Sequence, residues 1–112
     1  MPYDLYREGY YYYAKDFEHP YSTFVYTVSS FLDLIRFDAT ENMDLLNQPL
    51  LMMAGSNADT FYMTEQAYAK AIRSKNRELF LIKGATHIQT YWKPEYVSQE
   101  VDKAYEFFGR YL

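Results

Sequence analysis

Two short apolar runs, each followed by glycine, set the strongest limit on what this chain can fold into. Leu50, Leu51, Met52, Met53 and Ala54 lie between Pro49 and Gly55, and Leu79, Phe80, Leu81 and Ile82 follow Glu78 and stop before Gly84. Continuous apolar runs of this length between chain breakers are expected of strands buried on both faces, a setting typical of parallel sheets. Between them Thr64 can cap a helix in which Ala67, Tyr68, Ala71 and Ile72 share one stripe. Lys70, Arg73, Lys75 and Arg77 populate its outer face and its end, where positive charge suits the helix dipole. Strand, helix, strand predicts a right-handed βαβ unit. After a loop with Trp92 and Pro94, Ser98 can cap a last helix with Val101, Ala104, Tyr105, Phe108 and Leu112 as its apolar stripe.

The region before Pro49 has a different character. Eight of the 14 tyrosines fall between Tyr3 and Tyr26, and aromatic residues make up 21% of the chain. Residues 3–15 read as an aromatic helix interrupted by Gly9, and His19-Pro20 ends it because a residue before proline avoids the α region. From Ser22, the residues Phe24, Val25, Val28, Phe31, Leu32 and Ile35 draw one face of a second helix. Residues 38–48 read as a connection resting on the body through Met43, Leu45 and Leu46. The organisation expected is a helical lid-like segment over 1–48 followed by a β-α-β-α unit over 49–112. The run Tyr10 to Tyr13 cannot lie on one helical face, since successive residues turn by about 100°. Those rings therefore cover apolar surface among Phe17, Phe24 and Phe31, line a substrate pocket, or meet a partner.

At 112 residues the chain is one domain at most, or a piece of a larger one. A net charge of −4 disfavours a nucleic-acid surface, which needs a clustered positive footprint. With no cysteine and two histidines, disulfides, thiolate zinc sites and a cysteine nucleophile are excluded, and neither a metal nor a cofactor is expected. No stretch approaches the roughly 18 apolar residues that span a bilayer, and the N-terminus lacks the features of a signal peptide. A cytoplasmic location is expected.

In open α/β sheets, ligands and catalytic groups collect at the carboxyl ends of the strands. Asp59 follows the first apolar run and His87 follows the second. If the strands are adjacent, the two meet at one edge. A carboxylate that accepts from an imidazole fixes its tautomer, leaves the other nitrogen as a base and stabilises the imidazolium. The plainer alternatives are a turn or cap for Asp59 and a structural role for His87. His19 reads as a lid or turn residue, and the basic cluster of residues 70–77 as a solvated helix face.

The stretch from Pro49 to Asp59, with His87 following 28 positions later in Gly84-Ala85-Thr86-His87, resembles the C-terminal end of the α/β-hydrolase superfamily. It looks closest to the dienelactone-hydrolase-like and acyl-peptidase-like branch. The resemblance implies a partial α/β-hydrolase fold with Asp59 as catalytic acid, His87 as base, and the helix from Ser98 to Leu112 packed on the sheet. The acid then base order agrees with the family's order. Residues 6–20 and 30–39 also resemble the helical insertion before the acid-bearing strand, which extends the likeness over nearly the whole chain.

The departure from that family is the nucleophile. A complete member carries a G-x-S-x-G elbow and an oxyanion loop, and the four glycines, Gly9, Gly55, Gly84 and Gly109, build neither. Ser56 merely follows the acid-bearing run and makes a poor nucleophile. The chain is therefore expected to be a C-terminal segment, close to inert alone, because loss of oxyanion donors removes on the order of 10²–10³ in turnover and loss of the nucleophile far more. With the missing half supplied, a small ester or acyl compound is the substrate the resemblance implies. The alternative is a non-catalytic assembly module. In either case the open edges of a tiny sheet predict a homo-oligomer, in the simplest case a dimer about a two-fold axis.

Overall fold

The structure, a computed structural model, describes residues 5–112. Its order is α1 (Leu5–Tyr11), a π-helical turn (Tyr12–Asp16), α2 (Val28–Arg36), a 3₁₀ turn (Met43–Leu45), β1 (Leu50–Gly55), α3 (Phe61–Lys70), β2 (Arg77–Ile82), α4 (Gln89–Trp92) and α5 (Pro94–Tyr111). Helices thus accompany a two-stranded parallel sheet, a small α/β unit. The register pairs Leu50 with Arg77 and Gly55 with Ile82, so both strands end at one rim.

The joints of the β1-α3-β2 unit are made by specific polar contacts. At the α3–β2 corner, Tyr68 Oη donates to the Arg77 carbonyl at 3.1 Å and Arg77 Nη1 donates to the Tyr68 carbonyl at 2.6 Å. The buried Ser74 hydroxyl donates to the Gln48 carbonyl at 2.7 Å, and the Leu50 amide donates to the Asn76 carbonyl at 3.1 Å. These bonds satisfy backbone groups that the short connections would otherwise bury without partners. Parallel pairing brings the two post-strand loops together at one rim.

Several expectations are corrected. The strands are not buried on both faces: every residue before Gly55 in β1 is only partly buried, and in β2 Ile82 alone is fully buried. A two-stranded sheet has an open edge on each side, so its flanking helices cannot close it. The helix assigned to a Thr64 cap begins at Phe61, and it ends at Lys70, leaving Ile72 69% exposed beyond it. The last helix starts at Pro94, not at Ser98, because proline fits the first turn of a helix where its missing N–H is no loss.

That helix also turns a different face inward. Phe107 is 1% exposed, whereas Tyr105 is 84% and Leu112 fully exposed. Glu100, Lys103, Ala104, Phe107 and Tyr111 form the half-buried to buried side, and Val101, Tyr105 and Phe108 point away. Of the stripe read from periodicity, Ala104 turns inward, and Val101, Tyr105, Phe108 and Leu112 are left uncovered. The remaining core is Ala67, Ala71, Ile82, Ala85 and Ile88, mostly small residues.

In the N-terminal part, Gly9 does not interrupt α1, which continues into the π-helical turn. The expectations for residues 1–4, Tyr3 included, lie outside the described residues. The second helix starts six residues later than read, with Thr27 as its cap accepting from the Ser30 amide. Phe24 has a φ of 51°, which a helix excludes. Val28, Phe31, Leu32 and Ile35 of α2 are all exposed. The radius of gyration, 16.2 Å, exceeds the roughly 13 Å of a compact chain of this length, in keeping with the uncovered helical faces.

Candidate functional site

The rim is fastened before any side chain of interest is placed. Ser56 N donates to the Ile82 carbonyl at 3.0 Å and Asn57 N to the Ala85 carbonyl at 2.9 Å. Ser56 Oγ accepts from the Gly84 amide at 2.8 Å, and Asn57 Nδ2 donates to the Gly84 carbonyl at 3.2 Å. Gly84 adopts φ 82°, a left-handed conformation that suits glycine. Ser56 is therefore a tie between the loops. Its hydroxyl is engaged at the Gly84 backbone, not at His87.

The ties carry His87 to the centre of the rim. Its Nδ1 lies 2.5 Å from Thr60 Oγ1, and its Nε2 lies 2.6 Å from the hydroxyl of Tyr91. The Tyr91 ring meets the imidazole edge to face, with centroids 5.3 Å apart. Burial, reinforced by the neighbouring Tyr13 and Tyr12 phenols, raises the Tyr91 hydroxyl above its ordinary pKa of 10.0, so that phenol stays protonated at neutral pH. A protonated phenol can donate to Nε2. The proton then sits on Nδ1 and Thr60 Oγ1 is its acceptor, an arrangement that satisfies both ring nitrogens and is assigned from the network.

Asp59 stands on the adjoining loop, but its carboxylate is used elsewhere. Oδ2 accepts from the Leu5 amide at 2.9 Å, at the start of α1, where a negative charge meets the positive end of the helix. The expected Asp59–His87 hydrogen bond is thus replaced by its sequence neighbour, Thr60, on Nδ1. The reason is geometric: residues 58–61 turn tightly into α3, with Phe61 N bonded to the Ala58 carbonyl, and consecutive side chains of such a turn point in different directions. Asp59 is an exposed tether for α1, and Thr60 faces the imidazole.

Sequence reasoning located His87 and missed both of its partners. Thr60 was hidden by standing next to a carboxylate with a stronger chemical signal. Tyr91 carried a usable one, since it lies four residues after His87 at the spacing that puts side chains on one face of a helical turn.

Two hollows meet at His87 and Tyr91. The larger, about 580 Å³, is lined by α1, Tyr13, Ala14, Phe24, His87, Ile88 and Tyr91. The other, about 370 Å³, lies at the carboxyl end of β1 between Gly55, Ala58, Thr60, Met63 and Thr90. His19 stands away from both, its Nδ1 accepting from the Tyr21 amide at 3.2 Å, a local turn bond. Among the described residues, no group of three or more His, Asp or Glu is placed to hold a metal ion. None of the described helices is long and apolar enough to cross a membrane.

No family model matches the chain. It is similar to the uncharacterized protein YcjY of Escherichia coli (strain K12), at 27% identity over 103 residues. The match takes in 91% of this chain and 33% of that protein, so the chain spans about a third of the length of this relative.

Proposed function

We propose that this chain is the acid- and base-bearing C-terminal part of an α/β-hydrolase-type serine hydrolase acting on esters or acyl compounds. The observation that carries the reading is His87 at the carboxyl rim of a parallel β-α-β unit, with each ring nitrogen held by a hydroxyl. A serine supplied from outside these 112 residues would take the place of the Tyr91 hydroxyl at Nε2. Nε2 would accept the serine proton as the oxygen attacks the acyl carbon, then return it to the leaving group. Water hydrolyses the acyl-enzyme by the same route. Thr60 holds the Nδ1 proton, and Asp59, the acid of this reading, adjoins it in sequence with its carboxylate on the Leu5 amide. A cytoplasmic location belongs to this reading, and cell fractionation checks it.

The test is a chimera in which this chain replaces the matched segment of the E. coli relative. The chimera is expected to label with a fluorophosphonate and to hydrolyse p-nitrophenyl acetate, and His87→Ala is expected to lower turnover by on the order of 10⁴ or more. An unlabelled chimera, or one indifferent to His87→Ala, overturns the reading. The isolated chain should not label.

A second reading, a non-catalytic assembly module, draws on the accessible surface. The chain exposes 8556 Å², about 2,000 Å² more than a monomer of 13.4 kDa is expected to show. Surplus surface of that size, with large apolar side chains such as Val28, Leu32 and Tyr105 exposed on it, favours a partner, whether a second copy or the rest of a hydrolase.

A further inference from the structure

We infer that the larger hollow beside His87 binds an uncharged aromatic ester of one or two rings and rejects the corresponding carboxylate. The inference rests on the hydrolase reading only for the word ester. The binding preference follows from the walls.

Its volume of about 580 Å³ lies within the range of small-molecule sites and exceeds the needs of a single ring. Tyr10, Tyr13, Phe24 and Tyr91 supply aromatic faces and edges, while Gly9, Ala14 and Ile88 keep its floor low and apolar. Tyr13 and Phe24 already meet edge to face, with centroids 6.1 Å apart and planes at 81°, and Tyr12 meets Tyr91 at 5.7 Å and 70°. A guest ring can extend that pattern, because aromatic pairs favour tilted or offset contacts. Phe24 reaches the wall from a backbone at φ 51°, a conformation uncommon for an aromatic residue.

The selectivity comes from charge. Among the described residues, no Lys, Arg, Asp or Glu lines the hollow, and its polar groups are phenols and the His87 imidazole. An ester carbonyl needs one donor at most. The nearby Lys15 ammonium lies over the Tyr10 ring, 5.9 Å from its centroid, and is not among the lining residues. A carboxylate would therefore enter with a full charge and no cation in the walls to meet it, which a largely apolar site penalises. Gly9 provides the handle for a test, since a Cβ there would meet Ile88 Cδ1 at 3.8 Å, an ordinary contact. Gly9→Ala therefore fits, and Gly9→Phe drives a ring into the space of the ligand.

The experiment is titration of the isotope-labelled full chain with methyl benzoate, read by NMR shifts of His87 and Tyr91 and by ligand contacts to the Ile88 methyls. Saturable shifts are expected with methyl benzoate, at least tenfold weaker binding with benzoate at pH 7, and at least threefold weaker binding with methyl cyclohexanecarboxylate. Gly9→Phe is expected to weaken methyl benzoate at least tenfold, and Gly9→Ala less than threefold. Absence of saturable shifts, equal binding of benzoate, or full binding by a folded Gly9→Phe variant overturns the inference, and equal binding of the cyclohexane ester overturns its aromatic part. The benzoate comparison uses the native chain and stands even if Gly9→Phe fails to fold. An inactive chimera with methyl benzoate still bound defeats the catalytic reading alone, and an active chimera without such binding defeats the hollow alone.

Discussion

Gly55 ends β1 directly beneath the Ala85 backbone, and a Cβ at that position would fall 2.2 Å from the Ala85 carbonyl oxygen. Neither loop can retreat without breaking the bonds that fasten the rim. Gly55→Ala is therefore expected to cost about 3 kcal/mol or more in urea unfolding, at the upper end of what overpacking produces. Gly109 gives the contrast: it lies in α5 with nothing within 4 Å of an added Cβ. Gly109→Ala is expected to stabilise by about 0.5–1 kcal/mol, since alanine restricts the unfolded chain and favours helix. Equal effects from the two substitutions would contradict the tight rim. At this scale the sequence was informative about position and poor about direction. Breakers after each apolar run placed Asp59 and His87 at one edge, yet nothing in residue order says that Thr60, not Asp59, turns toward the imidazole.

Among the described residues, the ion pairs of longest sequence range join α5 to β2. Glu78 receives Lys103 Nζ at 2.7 Å and Arg110 Nη2 at 2.5 Å, and Glu106 approaches both cations from one helical turn away. Hydrogen bonds from Lys103 and then Arg110 hold the Glu78 carboxyl below its ordinary value of 4.5. A lowered folded-state pKa means that this contribution is present above about pH 4.5 and is lost as pH falls through the lower value. Glu78→Gln is therefore expected to flatten the acid limb of a stability-versus-pH curve as pH falls below about 4.5. Glu100 has the opposite sign, because burial on the inward side of α5 raises its carboxyl above 4.5. Stability linked to it is present below that value and lost as pH rises through the folded one, so Glu100→Gln should stabilise the chain at pH 7. An unchanged urea midpoint at pH 7 would count against that placement of α5. The strands and α5 were legible because apolar runs and a 3.6-residue period are local signals. Which side of α5 faces inward was not, because Phe107 wins its place through β2 and the Glu78 pairing, both distant in sequence.

At the scale of the molecule, few large side chains hold the fold: Phe107 and Ile82 are the largest fully buried ones. Phe107→Ala is expected to cost about 3–5 kcal/mol, comparable with the whole stability of a small domain, and to abolish cooperative thermal unfolding. The same sparse core leaves the apolar faces of α2 and α5 uncovered in this chain. Light scattering of the purified chain is expected to report a dimer or larger species, and a monomer at high concentration would contradict that expectation. A sequence can display an amphipathic face without revealing what covers it, and α2 is the plainest instance here.

The most direct measurement concerns His87 itself. Long-range ¹H–¹⁵N correlation spectra of the labelled chain at pH 8 report which ring nitrogen carries the proton. With Tyr91 donating to Nε2 and Thr60 accepting from Nδ1, the proton belongs on Nδ1, and Thr60→Val together with Tyr91→Phe should release that preference. A native imidazole protonated on Nε2, unaffected by either substitution, would mean that the rim does not present His87 as a base.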